Sequence, residues 1–251
     1  MRNPPFNRTQ VPPGIAVRDL CLRFGQRTIF ERLSVDIASG QIVALLGASG
    51  AGKTSLLRII AGLAQATSGS VMGSDGLPIS GRIAWMGQKD LLYPWLSVQQ
   101  NVMLGARLRG EQPDHDWALH LLERVGLQDQ RDARPDTLSG GMRQRAAIAR
   151  TLYERQPIVL MDEPFSALDA ITRARVQNLA AELLQDHTVL LITHDPVEAC
   201  RLAHQLMVLS PHPAGLDTSH TLAGTPPRAL DDPELLRSQG ALAQQLLRGA
   251  E

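Results

Sequence analysis

The spacing of apolar residues changes several times along the chain, and each change predicts a different kind of element. Over residues 15–41, apolar and polar residues alternate in short bursts that are interrupted at 25–26 and 39–40. A period of two is typical of half-buried strands, so this segment predicts antiparallel strands joined by turns. The run 42–46 is apolar throughout, which predicts a central strand covered on both faces. Residues 53–63 then follow helical spacing.

The middle of the chain has a different character. Residues 65–81 are rich in Gly, Ser and Thr and predict a loop or hairpin, after which 83–86 predicts a short strand that leads to Gln88. From about 89 to 152 helical spacing dominates and strand patterns are few. This stretch predicts an inserted helical subdomain.

Strand patterns return in the second half of the chain. Apolar runs at 158–161, 189–192 and 206–209 predict strands, and helical spacing lies between them at about 170–185 and 196–203. Strands that alternate with helices favour a mostly parallel sheet with helices on its faces. The predicted fold class is therefore α/β.

The two ends of the chain differ from this central part. Residues 1–13 contain four prolines and no apolar run of signal-peptide length, which predicts a short disordered leader. Residues 14–210 form the predicted domain. The tail, 211–251, has loop composition followed by a predicted helix over 234–248.

Charge and hydropathy exclude some kinds of partner. Lys plus Arg and Asp plus Glu both total 25 in 251 residues, so no net positive charge attracts the chain to nucleic acid. No segment approaches the roughly 18 apolar residues of a membrane span. A role in a membrane process would therefore require docking to a separate membrane subunit.

A glycine-rich loop lies between the predicted central strand and the helix after it. Residues 47–54 have the sequence Gly-Ala-Ser-Gly-Ala-Gly-Lys-Thr. Strand, glycine loop and helix together predict a phosphate-binding loop, in which backbone N–H groups and Lys53 meet phosphate oxygens and Thr54 offers its hydroxyl to Mg²⁺. The residues predicted to bind nucleotide here are Gly47, Ser49, Gly50, Gly52, Lys53, Thr54 and Ser55.

A second anion-binding sequence occurs at 138–145. It has the sequence Leu-Ser-Gly-Gly-Met-Arg-Gln-Arg, with a hydroxyl and two glycines before an Arg-rich helix start. The N-terminus of a helix favours negative charge, so Ser139, Gly140 and Gly141 predict a second half-site for phosphate.

Acidic residues and a histidine follow two of the predicted strands. Asp162 and Glu163 end the run 158–161, at the edge where open parallel sheets bind ligands. An acidic pair at such a point is by itself more often a loop or helix-start feature. Together with the phosphate loop, it predicts a Mg²⁺ ligand in Asp162 and a base for attacking water in Glu163. His194 ends the next strand and can steer that water as a neutral imidazole.

The order of these motifs resembles the ATP-binding subunit of ATP-binding cassette (ABC) transporters, over roughly residues 14–210. The resemblance implies an ATPase that uses ATP and Mg²⁺. It also implies a P-loop NTPase cassette with a mostly parallel core sheet, an antiparallel β subdomain and an inserted helical subdomain. Met142 departs from the glutamine usual in the family, but phosphate binding there depends on Ser139 and the amides of Gly140 and Gly141.

Further residue roles follow from the resemblance alone. Gln88 corresponds to a residue that contacts the metal or the attacking water, and residues 166–169 match a loop that contacts the second subunit. Phe24 corresponds to the aromatic residue that stacks on adenine. The alternative for Phe24 is an ordinary buried strand aromatic.

The segment after Gln88 also has two interpretations. By resemblance, residues 91–96 report the state of the nucleotide to the membrane partner. Alternatively, Leu92, Trp95 and Leu96 fill the core of the helical subdomain, because exposed and buried apolar residues look alike in a sequence.

The family places its two half-sites on opposite faces, so each ATP lies between Lys53 of one copy and Ser139 of the other. The resemblance thus implies a homodimer that docks on integral membrane permease subunits and works indirectly with a solute-binding protein. Its expected location is peripheral, on the cytoplasmic face of the inner (plasma) membrane.

Details of the motifs indicate the direction and cargo of transport. Separate motor and pore chains favour an importer, with an exporter as the alternative. Residues 92–98, Asn101 and 161–165 resemble the nitrate, sulfonate and taurine importers. The short loop 72–82 and the run 193–199 favour members of that group that import hydroxymethylpyrimidine, a thiamine precursor.

Two functions of other classes are weaker interpretations. A soluble ABC ATPase acting on DNA or ribosomes would usually carry a coiled-coil insertion or a second cassette, for which 251 residues leave no room. A small-molecule kinase with the same phosphate loop would leave 138–145 unexplained.

Overall fold

The structure is a computed structural model that describes residues 11–210 and 215–248. Within these ranges the strands are Ile15–Phe24 (β1), Arg27–Ile37 (β2), Ile42–Gly47 (β3), Ser68–Gly73 (β4), Ile83–Met86 (β5), Ile158–Asp162 (β6), Thr188–Ile192 (β7), Gln205–Leu209 (β8) and Leu216–Thr221 (β9). The α-helices are Lys53–Ile60 (α1), Val98–Val102 (α2), Leu104–Leu108 (α3), His115–Arg124 (α4), Gly140–Tyr153 (α5), Ala170–Leu183 (α6), Pro196–Leu202 (α7) and Pro233–Arg248 (α8). Short 3-10 turns lie at Gln128–Gln130 and Pro135–Thr137.

The strands form two sheets. The smaller sheet has the order β2-β1-β4 and is antiparallel. The larger has the order β5-β6-β7-β3-β8-β9, and it is parallel except for the edge strand β9. Helices α2 to α5 occupy the segment for which the helical subdomain is predicted. The predicted α/β class is confirmed.

Strand β3 is buried on both faces, as its continuous apolar run predicts. Ile42, Ala44 and Leu46 pack into a core shared with α4 and α5. Val43 and Leu45 pack on the other side, into a core shared with β1, β2 and α1. The loop that follows β3 is therefore anchored on a strand held between two cores.

The parallel order brings the candidate chemistry to one edge of the larger sheet. Strands β6, β7 and β3 are neighbours, and Asp162 pairs in register with Ile192 at the end of β7. The residues that follow these strands therefore meet at the carboxyl edge. Gln88 comes two residues after the end of β5, which lies beside β6.

The predicted helix over 53–63 is too long. Helix α1 ends at Ile60, Ala61 caps it, and Gly62 has a φ of 73°. A left-handed glycine is a common helix terminator because it has no Cβ to clash. Leu63 lies beyond the helix and is exposed.

A strand lies within the predicted loop or hairpin at 65–81. Strand β4 pairs with β1, which is distant in sequence, so no local hairpin pattern marks it. Gly69 explains part of its composition, because a Cβ there would lie 2.6 Å from the Cα of Leu20. The Gly and Ser residues allow close approach of two backbones, which composition alone does not distinguish from a loop.

The tail contains a strand that the sequence analysis missed and the helix that it predicted. Strand β9 pairs antiparallel with β8, and α8 closely matches the predicted 234–248. Of the predicted disordered leader, residues 1–10 lie outside the described residues, while Pro12 is buried and its carbonyl accepts a hydrogen bond from the Ser39 hydroxyl. In the described ranges, no helix combines the length and apolar character needed to cross a bilayer.

Candidate active site

A cavity of about 490 Å³ opens at the carboxyl edge of the larger sheet, a volume within the usual range for small-molecule sites. Its lining consists of Phe24, Arg27, Ile29, Ser49, Gly50, Gly52, Lys53, Thr54, Ser55, Gln88, Asp162 and Glu163. The structure thus brings together most of the predicted site residues. No sequence motif marks Arg27 and Ile29, whose only signal is their place directly after the Phe24 turn, where Arg27 pairs with Phe24.

Two positions of the glycine-rich loop accept only glycine. Gly47 has a φ of 146°, and a Cβ there would collide with the backbone carbonyl of Leu209. Gly52 caps α1 with a φ of 99°, and its Cβ would lie 2.7 Å from the side chain of Ile29. The loop can therefore turn tightly onto the start of α1, where free N–H groups favour an anion.

The Lys53 ammonium folds back over this loop. Its Nζ donates to the carbonyl oxygens of Gly47, at 2.7 Å, and Ala48, at 2.9 Å. Burial lowers the pKa of Lys53, against the opposing effects of Glu163 and Asp162. A half-buried ammonium that bonds only to carbonyls here is well placed to exchange one of them for a phosphate oxygen.

Thr54 and Asp162 place two oxygen ligands side by side. The Thr54 hydroxyl donates to Asp162 Oδ2 at 2.7 Å. Burial raises the pKa of Asp162, and the Thr54 hydrogen bond works against that rise. Among the described residues no group of three or more His, Cys, Asp or Glu could hold a metal. The pair suits Mg²⁺, which commonly takes one or two carboxylates and completes its shell with water and substrate phosphates.

Glu163 lies at the centre of the predicted catalytic residues. Its Oε2 is 3.4 Å from the Gln88 amide nitrogen, and its Oε1 is 3.3 Å from His194 Nδ1. Its backbone is left-handed, with a φ of 50°, and its N–H donates to the carbonyl of Ile192 at 2.9 Å. A non-glycine residue in this region is strained, which is common at functional sites. The backbone bond to β7 holds the carboxylate between Gln88 and His194.

Ser139, Gly140 and Gly141 do not line this cavity. Ser139 caps α5, where its hydroxyl accepts from the Met142 N–H at 3.3 Å, and both Ser139 and Gly140 are exposed. The second predicted half-site is therefore a surface of its own. One chain does not bring the two half-sites together.

Gln144 is a buried connection that the sequence analysis missed. Its amide nitrogen donates to the Glu163 carbonyl at 3.0 Å, and its carbonyl oxygen accepts from the Ala167 N–H at 2.7 Å. Helix α5, which begins at Ser139, is thereby tied to the segment after β6. A glutamine in an Arg-rich helix start gives no sequence signal of such a role.

The exposure of Phe24 decides between its two interpretations. Its side chain is 62% exposed and lies on the rim of the cavity. The alternative of a buried strand aromatic is therefore wrong.

The segment after Gln88 divides between its two interpretations. Leu92 is buried in the core, whereas Trp95 is 67% exposed and contacts Tyr93 edge to face, with ring centroids 5.1 Å apart. Asn101 fixes this loop: its Oδ1 accepts from the Tyr93 N–H at 2.7 Å and its Nδ2 donates to the Leu96 carbonyl at 3.2 Å. The loop thus presents aromatic surface on a fixed backbone.

Comparisons with known proteins agree with this geometry. The family model described as "ABC transporter" matches residues 30–166. An uncharacterised ABC transporter ATP-binding protein of Haemophilus influenzae is 44% identical over 237 residues, which are 92% of this chain and 98% of the relative.

Two further relatives carry names of import systems. An aliphatic sulfonates import ATP-binding protein of Paracoccus denitrificans is 42% identical, over 94% of this chain and 93% of its own. A taurine import ATP-binding protein of Jannaschia sp. is 40% identical, over 83% and 82%. The predicted likeness to the sulfonate and taurine group is confirmed, while the hydroxymethylpyrimidine branch stays a prediction.

Among solved structures, the chain is similar to the dimeric post-hydrolysis state of the ATP-binding cassette MJ0796 bound to ADP and Pi. The TM-score is 0.73 at 27% identity, with 84% of this chain and 99% of that one covered. The family model, the relatives and the fold all agree. The chain belongs to the ABC transporter family and is one of its ATP-binding, ATP-hydrolysing cassettes.

Proposed function

We propose that this ATPase is the motor subunit of an importer, and that it works as a homodimer which clamps ATP between its two copies. The single observation that carries the proposal is the convergence of Lys53, Thr54, Asp162 and Glu163 on one open cavity. The second half-site, at Ser139, lies outside that cavity.

In the proposed binding step, each residue of the loop acts on the phosphates of ATP. Lys53 and the N–H groups at the start of α1 neutralise phosphate oxygens. Thr54, Asp162 and Gln88 hold Mg²⁺, which when bound neutralises charge on the phosphates. Phe24 stacks on the adenine, and Arg27 lies beside it on the same rim.

In the proposed hydrolytic step, Glu163 accepts a proton from the attacking water. Gln88 and His194 face its two carboxylate oxygens and so fix its orientation. Together these groups would position the attacking water for the terminal phosphate. Positioning and proton transfer of this kind contribute about 10²–10⁴-fold to a rate.

The proposed dimer completes the site. Ser139, Gly140 and Gly141 of the second copy cover the phosphates held by the first, which explains why the exposed Ser139 and Gly140 lie on a surface of their own. Gln144 connects that surface with the segment 163–169 of the same chain. Through this connection, ATP binding at one half-site affects the position of the other half-site.

The proposed membrane partner is a permease pair, docked on the aromatic surface at Tyr93 and Trp95. The names of the relatives favour a sulfonate- or taurine-type cargo delivered by a solute-binding protein. The chain would then lie on the cytoplasmic face of the inner (plasma) membrane.

Hydrolysis by purified Glu163→Gln protein tests the catalytic part. We expect kcat to fall at least about 100-fold while ATP still binds, because glutamine keeps the shape and loses the base. The matched control is Glu182→Gln. Glu182 is an exposed residue of α6 that forms an ion pair with Arg124, and this variant should keep the wild-type rate of ATP hydrolysis. A normal rate in Glu163→Gln would exclude Glu163 as the base.

Co-purification with a candidate permease tests the docking part. Trp95→Asp should lose the complex and keep basal ATP hydrolysis, because it places a charge in an apolar contact. Labelled taurine or sulfonate uptake then separates an importer from an exporter.

A further inference from the structure

A second, smaller cavity lies beside Glu163, on the side of its carboxylate that faces His194 rather than Gln88. Its volume is about 40 Å³, and its lining includes Glu163, Ser166, Thr193, His194 and Glu198. A space of this size holds about one to three water molecules, and its walls are polar enough to bind them. The cavity therefore connects the predicted catalytic residues with Glu198, to which the sequence analysis assigns no role of its own.

Glu198 is a buried carboxylate with incomplete hydrogen bonding. Its side chain lies in α7 and is 4% exposed. Oε2 accepts from the Gln177 amide at 3.3 Å, whereas Oε1 is buried and receives no hydrogen bond of ordinary geometry in the described part of the chain, although the nearby Thr193 hydroxyl acts on the carboxyl group. A buried, unpaired carboxylate oxygen is unfavourable unless water reaches it. The neighbouring cavity can supply that water.

The backbone also connects Glu198 with His194. Asp195 is the N-cap of α7, and its Oδ1 accepts from the N–H groups of Val197, at 2.9 Å, and Glu198, at 3.4 Å. The Thr193 hydroxyl accepts from the Asp195 N–H at 3.0 Å. His194 thus lies between two residues whose positions are fixed by the start of α7.

The groups around Glu198 set its charge. Burial raises its pKa to about 7, and the Asp195 carboxylate acts in the same direction. The Thr193 hydroxyl, the Arg173 guanidinium and the Gln177 amide lower it. Arg201 donates to Gln177 rather than to the carboxylate, and Glu163 and His194 face the group only across the cavity. Glu198 therefore changes its charge near neutral pH.

We propose that Glu198 is a positioning residue for hydrolysis, acting on the Glu163–His194 pair through water held in the smaller cavity. This inference rests on the proposed function, since it assumes that Glu163 accepts the proton. When Glu198 is charged, its hydrogen bonds to the water in the smaller cavity orient the Glu163 carboxylate and hold His194 in place. When Glu198 is protonated, that support is lost.

The test is the pH dependence of ATP hydrolysis by the full chain, from about pH 6 to about pH 8.5, for wild type and Glu198→Gln. Glutamine resembles the protonated acid and cannot become charged. We expect the two proteins to have equal kcat, within about twofold, near pH 6, and the wild type to be at least about fivefold faster near pH 8. KM for ATP should agree within about twofold at both pH values, because Glu198 does not line the nucleotide cavity.

Glu182→Gln is the control and should follow the wild-type profile. A kcat ratio between wild type and Glu198→Gln that stays constant with pH, including a ratio of one, would overturn the proposal, because support that depends on the charge of Glu198 must be lost as Glu198 becomes protonated. Melting temperatures and ATP binding verify that each variant is folded. If the wild type itself hydrolyses no ATP at any pH, the proposed function fails instead.

Discussion

At the scale of single residues, the exposed ring of Phe24 offers the first test. Replacing it with alanine should raise KM for ATP about two- to tenfold and change kcat little, because a stacking contact is worth about 0.5–1.5 kcal/mol beyond its buried area. Phe24→Tyr keeps an aromatic face and is the control. Steady-state ATP hydrolysis measures both constants. An unchanged KM in Phe24→Ala would show that the Phe24 ring does not contact the adenine.

The raised pKa of Glu198 leads to a second expectation, which concerns the stability of the fold. Its pKa rises from 4.5 to about 7 on folding, so the folded state binds more protons and is destabilised as pH rises through this window. Below about pH 4.5 the effect is absent, and above about pH 7 it is complete, at roughly 3 kcal/mol. Urea unfolding should therefore show Glu198→Gln gaining stability relative to wild type between about pH 5 and pH 8. A stability difference between wild type and Glu198→Gln that does not change with pH would contradict the raised pKa of the buried Glu198 carboxyl group.

Residues differ in how far their sequence context announces them. Lys53, Asp162 and Glu163 were found because a strand precedes each group and the residue types match phosphate and metal chemistry. Gln144 and Glu198 have no such context, since their partners are carbonyls, amides and a cavity that only the folded chain assembles.

At the scale of elements, one buried arginine holds the tail against the cassette. Arg228 is 4% exposed. Its side chain donates to the backbone carbonyls of Cys200, Ala203, Leu222, Ala223 and Gly224. The Arg228 N–H also donates to the Arg201 carbonyl at 3.0 Å. These bonds join the end of α7 to the turn before α8.

Arg228→Met should destabilise the fold by about 3–5 kcal/mol, because methionine fills some of the space but leaves buried carbonyls without donors. Arg237→Met, an exposed change on α8, should alter stability by no more than about 0.5 kcal/mol. Urea unfolding monitored by circular dichroism compares the three proteins. Equal midpoints for Arg228→Met and wild type would show that these bonds do not contribute.

Element prediction failed where pairing is distant or the sequence is polar. Strands β4 and β9 pair with β1 and β8 at an edge of their sheets, and both carry small or polar residues that resemble loops. In β4, for example, Gly73 is the only buried residue of six, so the strand has no apolar pattern. By contrast, β3, β6 and β7 are buried on both faces, and their apolar runs identified them.

At the scale of the whole molecule, the alternation of strands and helices was sufficient to predict an α/β fold with a mostly parallel sheet and a helical segment. The alternation was not sufficient to predict the arrangement of the nucleotide site, because Ser139 and Lys53 belong to different surfaces of one chain. Our account requires a second copy to join them. It therefore requires that a defect at Lys53 and a defect at Ser139 act on the same site of the dimer when they are in different chains, which leaves the other site intact.

Complementation between two inactive variants tests that requirement most directly. Lys53→Ala and Ser139→Ala proteins are each purified, and ATP hydrolysis is measured for each alone and for their equal mixture. Each alone has no complete site, whereas a mixed dimer has one, so random mixing should restore roughly a quarter of the wild-type rate. A mixture that stays as inactive as its two components would contradict the shared site.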